Sequence, residues 1–253
     1  MDAAISPPDD RLSLPSDDPV APVDRALDRL ETEHSELEAE CRALERFADR
    51  IGDLAPAEAV DAGAGVPSLS ATIDSTDAMG RVRDCYRETV MDVPHYERAY
   101  GEPLAANLAA ELGPELATAV CSEGGVPFTA GFRSALVEAA EEAAARRETF
   151  LGTLETERES LRHARRALAD VGATIESGPT EPATREELID RLDGVTEKRQ
   201  RLLHGRTLPV HVEAHGLCTY LYAELRFTYP VLGVAAAMRA TLEDADPVAA
   251  TAD

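Results

Sequence analysis

The sequence predicts an all-α protein: a long antiparallel helical hairpin (a coiled-coil stalk), an N-terminal heptad helix and a small head of short helices. Three observations lead to this prediction. Apolar residues recur at alternating spacings of three and four along three stretches, which places them on one helix face. Glycine and proline interrupt the chain between the stretches. The last two stretches have spacings that mirror each other across a glycine–proline pair.

The first element is a heptad helix predicted over residues 21–52. Pro22 suits a first helical turn and Gly52 suits a helix end. Residues 1–20 are rich in proline and aspartate, and they are predicted to form a disordered tail. The heptad positions of the helix are Leu27, Leu30, His34, Leu37, Cys41, Leu44, Ala48 and Ile51.

A linker and a head of short helices are predicted next. Residues 53–77 are rich in glycine, alanine and serine, which favours a flexible linker. Residues 78–128 are predicted to form the head, because Pro94 and Gly113 divide them into short segments. Asp77 is placed to cap the first of these helices.

The hairpin is predicted over residues 129–206. Its first helix ends at Gly178–Pro179, and Thr184 with Glu187 forms a capping-box pattern that starts the second. The heptad positions of the first helix are Leu136, Ala140, Ala143, Arg147, Phe150, Leu154, Glu157, Leu161, Ala164, Leu168, Val171 and Ile175.

Mirrored spacing gives the hairpin a predicted register. The pairs are Ile175–Leu188, Val171–Leu192, Leu168–Val195, Ala164–Arg199, Leu161–Leu202 and Glu157–Arg206. In this register Glu157 meets an opposite charge at Arg206. Polar residues at heptad positions indicate modest stability and register selection, as at His34, Arg147, Glu157 and Arg199.

The C-terminal part, residues 207–243, is predicted to be a helical segment that packs back on the head. It carries Tyr220, Tyr222 and Tyr229, and the segment over 78–121 carries the other three tyrosines. We therefore expect one head built from both tyrosine-rich segments. The final residues, 244–253, are predicted to be a disordered tail.

The composition is typical of a halophilic archaeon. Acidic residues number 48 and basic residues 25, which gives a formal charge of −23, and Lys198 is the one lysine. This repulsion opposes folding in dilute buffer, but molar salt shortens the Debye length to about 3 Å. The alternatives are an acidic protein of a mesophile and a partly disordered chain. The charge argues weakly against nucleic acid or an anionic membrane as partner.

The sequence also predicts a soluble cytoplasmic protein. Its first residues lack the basic start and apolar core of a signal peptide, and no apolar run is long enough to span a membrane. Four widely spaced cysteines, without a CxxC motif, are predicted to be free thiols of a reducing compartment.

One cluster has the residue types of a zinc site: His204, His211, His215 and Cys218. Two histidines four apart and a cysteine three further on share a helix face, and His204 is a possible fourth ligand. The sequence HVE at 211–213 also shares HxE with zinc deaminases, but no PCxxC follows. We favour the alternative, an interfacial helix with Cys218 in the core, so no metal and no cofactor is predicted.

A second cluster, Arg81, Arg83, Arg87 and Arg98, is the densest basic group of the predicted head. It permits a nucleic-acid-binding regulator that contacts phosphates. Acidic residues alternate with these arginines, however, and that pattern is typical of surface ion pairs.

Three segments resemble an uncharacterised family of haloarchaeal proteins over roughly residues 80–240. They are RVRDCYRETVMDVPHYERAYGEPLAANLAAELGPELA (81–117), FLGTLETERESL (150–161) and YLYAELRFTYPVL (220–232). The resemblance implies a cytoplasmic helical protein with coiled-coil structure, and it implies no activity, cofactor or catalytic residue. The heptad patterns favour a non-catalytic protein that binds a protein partner or itself. Catalytic residues are not predicted.

Overall fold

The computed structural model describes residues 18–56, 69–122, 126–178, 181–205 and 216–244, apart from the side chains of residues 69–77. Every regular element among these residues is an α-helix, which confirms the predicted all-α class. The helices are α1 (Ala21–Gly52), α2 (Leu69–Thr89), α3 (Tyr96–Ala99), α4 (Leu104–Leu112), α5 (Pro114–Cys121), α6 (Ala130–Glu176), α7 (Pro182–His204), α8 (Leu217–Tyr222) and α9 (Pro230–Asp244).

The chain divides into two compact units. Unit 1 comprises Met1–Glu33 and Gly152–Asp253, and unit 2 comprises His34–Leu151. Helices α1 and α6 each contribute residues to both units.

The core of unit 2 follows from the heptad pattern of α1. Leu44 and Ile51 are buried together with apolar residues of α2, α4, α5 and α6. The rings of Phe47 and Tyr86 meet edge to face, with centroids 5.2 Å apart. The Tyr86 hydroxyl donates to Asn107 Oδ1 of α4 at 2.8 Å, so the polar end of a buried ring is satisfied.

The core of unit 1 is built from the first turns of α1, the second half of α6, and helices α7 to α9. Helices α7 and α9 pack against each other. Gly172 of α6 lies at a close approach, where an added Cβ would be 3.0 Å from Pro19 and 3.3 Å from Met238 of α9.

Helices α6 and α7 run antiparallel, since Asp170 pairs with Arg191 at 3.7 Å while Glu157, earlier in α6, pairs with Arg199, later in α7. The α6 heptad positions are buried at nearly every place from Leu136 to Val171, because they fall on one helix face. Glu157 pairs with Arg199, which lies on the buried face of α7. Arg206 lies outside the described residues, so the predicted pair Glu157–Arg206 stays a prediction.

Some predicted boundaries differ from the structure. Helix α2 begins at Leu69, inside the predicted linker, because residues 68–79 contain no glycine or proline to prevent a helix. Asp77 is therefore internal to α2 and does not lie at the N-terminus of this helix. The predicted N-terminal tail ended at residue 20, yet Val20 is buried in unit 1, where its backbone N–H donates to Asp18. Residues 1–17, 57–68 and 245–253 lie outside the described residues.

The second hairpin helix also starts differently from the prediction. Helix α7 begins at Pro182, two residues before the predicted cap Thr184, because proline is pre-organised for a first helical turn. The segment over 78–121 belongs to unit 2, and α8 and α9 belong to unit 1. The expectation that the two segments form one head stays a prediction. No helix in the described ranges is both long and apolar enough to cross a membrane.

Candidate functional site

The predicted metal ligands are placed only in part. His211 and His215 lie outside the described residues, so their pairing stays a prediction. His204 is exposed near the end of α7, where its Nδ1 lies 2.7 Å from the Gln200 carbonyl oxygen. Cys218 is buried in unit 1, with Sγ 3.5 Å from an Arg199 nitrogen. Among the residues that the structure describes, no three metal-ligating side chains gather.

The predicted basic cluster is engaged in contacts within unit 2. Arg83 donates to the Val120 carbonyl oxygen at 2.7 Å, and Arg87 pairs with Asp84 at 2.8 Å. Arg98 pairs with Glu36 of α1. Through these contacts the arginines link α2 to α5 and pair with acidic neighbours. They give no support to a phosphate-binding surface.

A buried ionic network, here called the Glu157 network, lies in unit 1. Arg199 is 3% exposed and Glu157 is fully buried. The two Arg199 Nη atoms donate to the two Glu157 carboxylate oxygens at 2.6 and 2.8 Å, and the Tyr222 hydroxyl donates to Oε1 at 3.0 Å. Arg199 Nη1 also donates to Ser160 Oγ at 3.2 Å. This bidentate pair joins α6, α7 and α8.

Electrostatics keep the Glu157 network ionised and its tyrosine neutral. Burial alone would lower the pKa of Arg199, but the hydrogen bonds and the charge of Glu157 raise it above its ordinary value. Burial and the Glu157 charge raise the pKa of Tyr222, so the phenol keeps its proton. Both carboxylate oxygens of Glu157 accept hydrogen bonds from these groups.

A second network, the Glu40 network, lies in unit 2. Arg147 Nε donates to Glu40 Oε2 at 2.6 Å, and its two Nη atoms donate to Glu111 at 2.8 and 2.7 Å. The Tyr100 hydroxyl donates to Glu40 Oε1 at 2.8 Å. His95 Nε2 lies 2.8 Å from the same oxygen, and it is the donor because an ionised carboxylate only accepts.

Charge and hydrogen bonding together set the ionisation of this network. Burial alone would raise the pKa of Glu40, but the Arg147 charge and the hydrogen bonds to Glu40 outweigh burial and lower it. Burial and the Glu40 charge raise the pKa of Tyr100. Glu40 is therefore a fixed anion that connects α1, α6 and the segment around α3.

Two buried thiols of unit 2, those of Cys41 and Cys85, are poor nucleophiles. Burial raises the pKa of Cys41 to about 11, and its Sγ lies 3.7 Å from the Ala144 carbonyl oxygen. Burial also raises the pKa of Cys85. Since the thiolate is the reactive form, both cysteines act as small core residues.

Sequence reasoning found three of the five arginine and glutamate residues in these two networks. Arg147, Glu157 and Arg199 stood out as charges at heptad positions, and all three belong to the buried networks. Glu40 and Glu111 were missed, because an acidic chain offers many glutamates of equal appearance. One signal was present: Glu40 adjoins the heptad positions of α1 and falls on their side of the helix.

The fold and the two networks define a class, an all-helical protein whose buried ionisable groups hold helices to one another. The chain belongs to the family described as domain of unknown function DUF7260, whose model matches residues 21–246. This match confirms the expectation of a family without an assigned function. No curated protein and no solved structure matches the chain.

Proposed function

We propose that the protein is a non-catalytic helical interaction or scaffold protein of a halophilic archaeon, with a protein partner or a second copy as ligand. The observation that carries this proposal is that the buried ionisable groups of the protein bind one another across helices. The carboxylates of Glu157 and Glu40 each accept hydrogen bonds from an arginine and a tyrosine of neighbouring segments, and they do not face a cavity. In this proposal, carboxylates bound in this way hold the helices that form the contact surface, and they take no part in catalysis.

Exposed tyrosines of unit 1 provide contact positions for such a partner. Tyr229, between α8 and α9, is 47% exposed, and Tyr220 of α8 is 41% exposed. The Tyr220 hydroxyl donates to Glu33 Oε1 at 2.6 Å, and this contact fixes the position of its ring. Tyrosine is enriched at protein interfaces because a rigid ring contributes contact area at a small entropic cost.

The composition supports a cytoplasm with molar salt as the working environment. At a formal charge of −23, long-range attraction to another acidic protein is absent, and salt removes most of the repulsion. Partner recognition under these conditions depends on apolar and aromatic contact area, so we expect the exposed ring of Tyr229 to contribute strongly to binding.

The test is reciprocal purification from the host in molar KCl. The tagged chain should co-purify with one protein, or a second copy, at fixed stoichiometry, and a tag on the captured protein should return the chain. Tyr229→Ser should weaken the complex, whereas Val126→Ser, an equally apolar exposed site of unit 2, is the matched control. A chain that elutes alone from native extract, or a complex indifferent to both variants, would contradict the proposal.

A further inference from the structure

A groove of about 560 Å³ opens between α6 and α7 in unit 1. Its volume falls within the range of small-molecule sites, roughly 300–1,000 Å³. Ala164, Val195 and Leu202 form an apolar side, and polar residues form the remainder. The groove lies beside Arg199, and the contacts of the two buried networks do not fill it.

The charge of the groove is opposite to that of the chain. Its lining includes Arg162, Arg166 and Lys198, the one lysine of the sequence, together with the network residue Arg199. A single carboxylate, Glu159, is in the lining. In a protein of formal charge −23, chance would place more acidic than basic groups in such a groove.

The three free cations of the groove differ from their neighbours. Four other arginines of α6 and α7 form ion pairs: Arg158 with Glu31, Arg165 with Asp24, Arg191 with Asp170 and Arg201 with Glu197. Within the described ranges, Arg162, Arg166 and Lys198 form no such ion pair; Arg166 donates only to the Arg162 carbonyl oxygen, at 3.3 Å.

The spacing of these cations suits phosphate. Arg162 and Arg166 are one helical turn apart, so both project from the same face of α6, and Lys198 comes from the opposite helix α7. Guanidinium groups bind phosphate oxygens in a bidentate manner, and an ammonium adds a point charge. Ser160 Oγ accepts from Arg199 and therefore keeps its hydroxyl proton for another acceptor.

We infer that this groove binds a small organic anion that carries at least two phosphate groups. The phosphates contact Arg162, Arg166 and Lys198, and the organic part lies on the apolar side formed by Val195 and Leu202. Molar salt screens long-range attraction, so binding depends on these short contacts. The inference concerns a ligand site and does not rest on the proposed protein partner.

Calorimetric titration of the full chain in molar KCl tests the site, with inorganic pyrophosphate and ADP as probes. Both probes should bind, and ADP should bind more tightly because of its organic part. Arg166→Gln and Lys198→Gln should each weaken binding about tenfold, the effect of losing one charge-assisted contact. Arg201→Gln, which removes an exposed arginine outside the groove, is the matched control and should leave affinity unchanged.

Three results would overturn the inference. The first is that the wild-type protein binds neither pyrophosphate nor ADP. The second is that Arg201→Gln weakens binding as much as Lys198→Gln does. The third is that a single-stranded oligonucleotide binds at the groove while ADP does not. The last result would assign the cations to a nucleic-acid backbone. Circular dichroism of each variant excludes unfolding as the cause, and co-purification of the protein partner is measured separately, so failure of one proposal leaves the other intact.

Discussion

Gly233 of α9 shows how closely a single position is packed in unit 1. A Cβ added there would lie 2.6 Å from Cγ of the Phe227 ring, much closer than van der Waals contact. Gly233→Ala must therefore displace the ring, and we expect it to lower the free energy of unfolding by about 1–3 kcal/mol. Chemical denaturation in molar KCl measures this change.

Gly194 of α7 is the matched control for that variant. It is also internal to a helix, but an added Cβ would meet nothing within 4 Å. Gly194→Ala should raise stability by about 0.5–1 kcal/mol through helix propensity alone. Equal effects of the two substitutions would show that the Phe227 contact has no energetic weight.

Metal binding is a second property decided by single residues. The candidates are His204, His211, His215 and Cys218; in the structure Cys218 lies beside Arg199 and His204 contacts a backbone carbonyl. We expect protein purified without chelator or histidine tag to hold less than one transition metal per chain. Elemental analysis measures it. About one zinc per chain, lost in His215→Ala, would reverse this expectation.

Single residues also mark how far the sequence predicts the site. A charge at a heptad position, such as Glu157 or Arg199, breaks an apolar pattern and is visible in the sequence. The ion pair itself is not visible, because the predicted register placed Arg199 opposite Ala164, while in the structure Arg199 pairs with Glu157. Glu40 escaped notice because its partners come from two distant segments, and one sequence contains no record of such contacts.

Helices of unit 2 depend on the Glu40 network for stability in acid. The pKa of Glu40 is lowered in the folded protein, despite burial, by Arg147 and by its hydrogen bonds. The stability that it contributes is present above its unfolded pKa and is lost as pH falls through the lowered folded pKa. We expect Glu40→Gln to be less stable than wild type at neutral pH, with the difference shrinking in acid.

Glu88→Gln is the control for this prediction. Glu88 pairs with Arg50 on the surface of unit 2, where the Glu88 side chain is 61% exposed. Its removal should change the free energy of unfolding by less than about 1 kcal/mol. Thermal unfolding across a pH series compares the three proteins. If the difference in stability between wild type and Glu40→Gln stays constant with pH, the ionised Glu40 does not stabilise unit 2.

Elements with strong periodicity were predicted well, and those without it were not. Helices α1 and α6 follow from their heptad spacing, which fixes one buried face. Helix α2 begins in a segment of serine, threonine and aspartate, whose weak helix propensity resembles that of a linker. Tertiary context decides such a segment, so its sequence alone could not.

The whole molecule is expected to depend on salt. A formal charge of −23 is unscreened in dilute buffer, and this repulsion favours expanded states. Removal of KCl should lower the melting temperature and the helical signal in circular dichroism. The same helicity and melting temperature in dilute buffer as in molar KCl would contradict the halophilic interpretation.

The central claim is that buried charges hold the helices of this protein together. Glu157→Ala leaves Arg199 buried without its partner, a change that typically costs about 3–5 kcal/mol. Replacement of the network by apolar residues, as Glu157→Leu with Arg199→Met and Tyr222→Phe, removes both charges and the Tyr222 hydroxyl together. The single variant should therefore be less stable than the triple variant. Glu159→Ala, on the exposed side of α6, is the control.

Hydrogen exchange of the full chain in molar KCl tests this claim most directly. The account predicts faster exchange in Glu157→Ala across the second half of α6, α7 and α8, the helices that the network joins. It predicts protection near the wild-type level in the triple variant and in Glu159→Ala. If Glu157→Ala exchanges like wild type across these helices, the buried charges do not hold the helices together and the account is wrong.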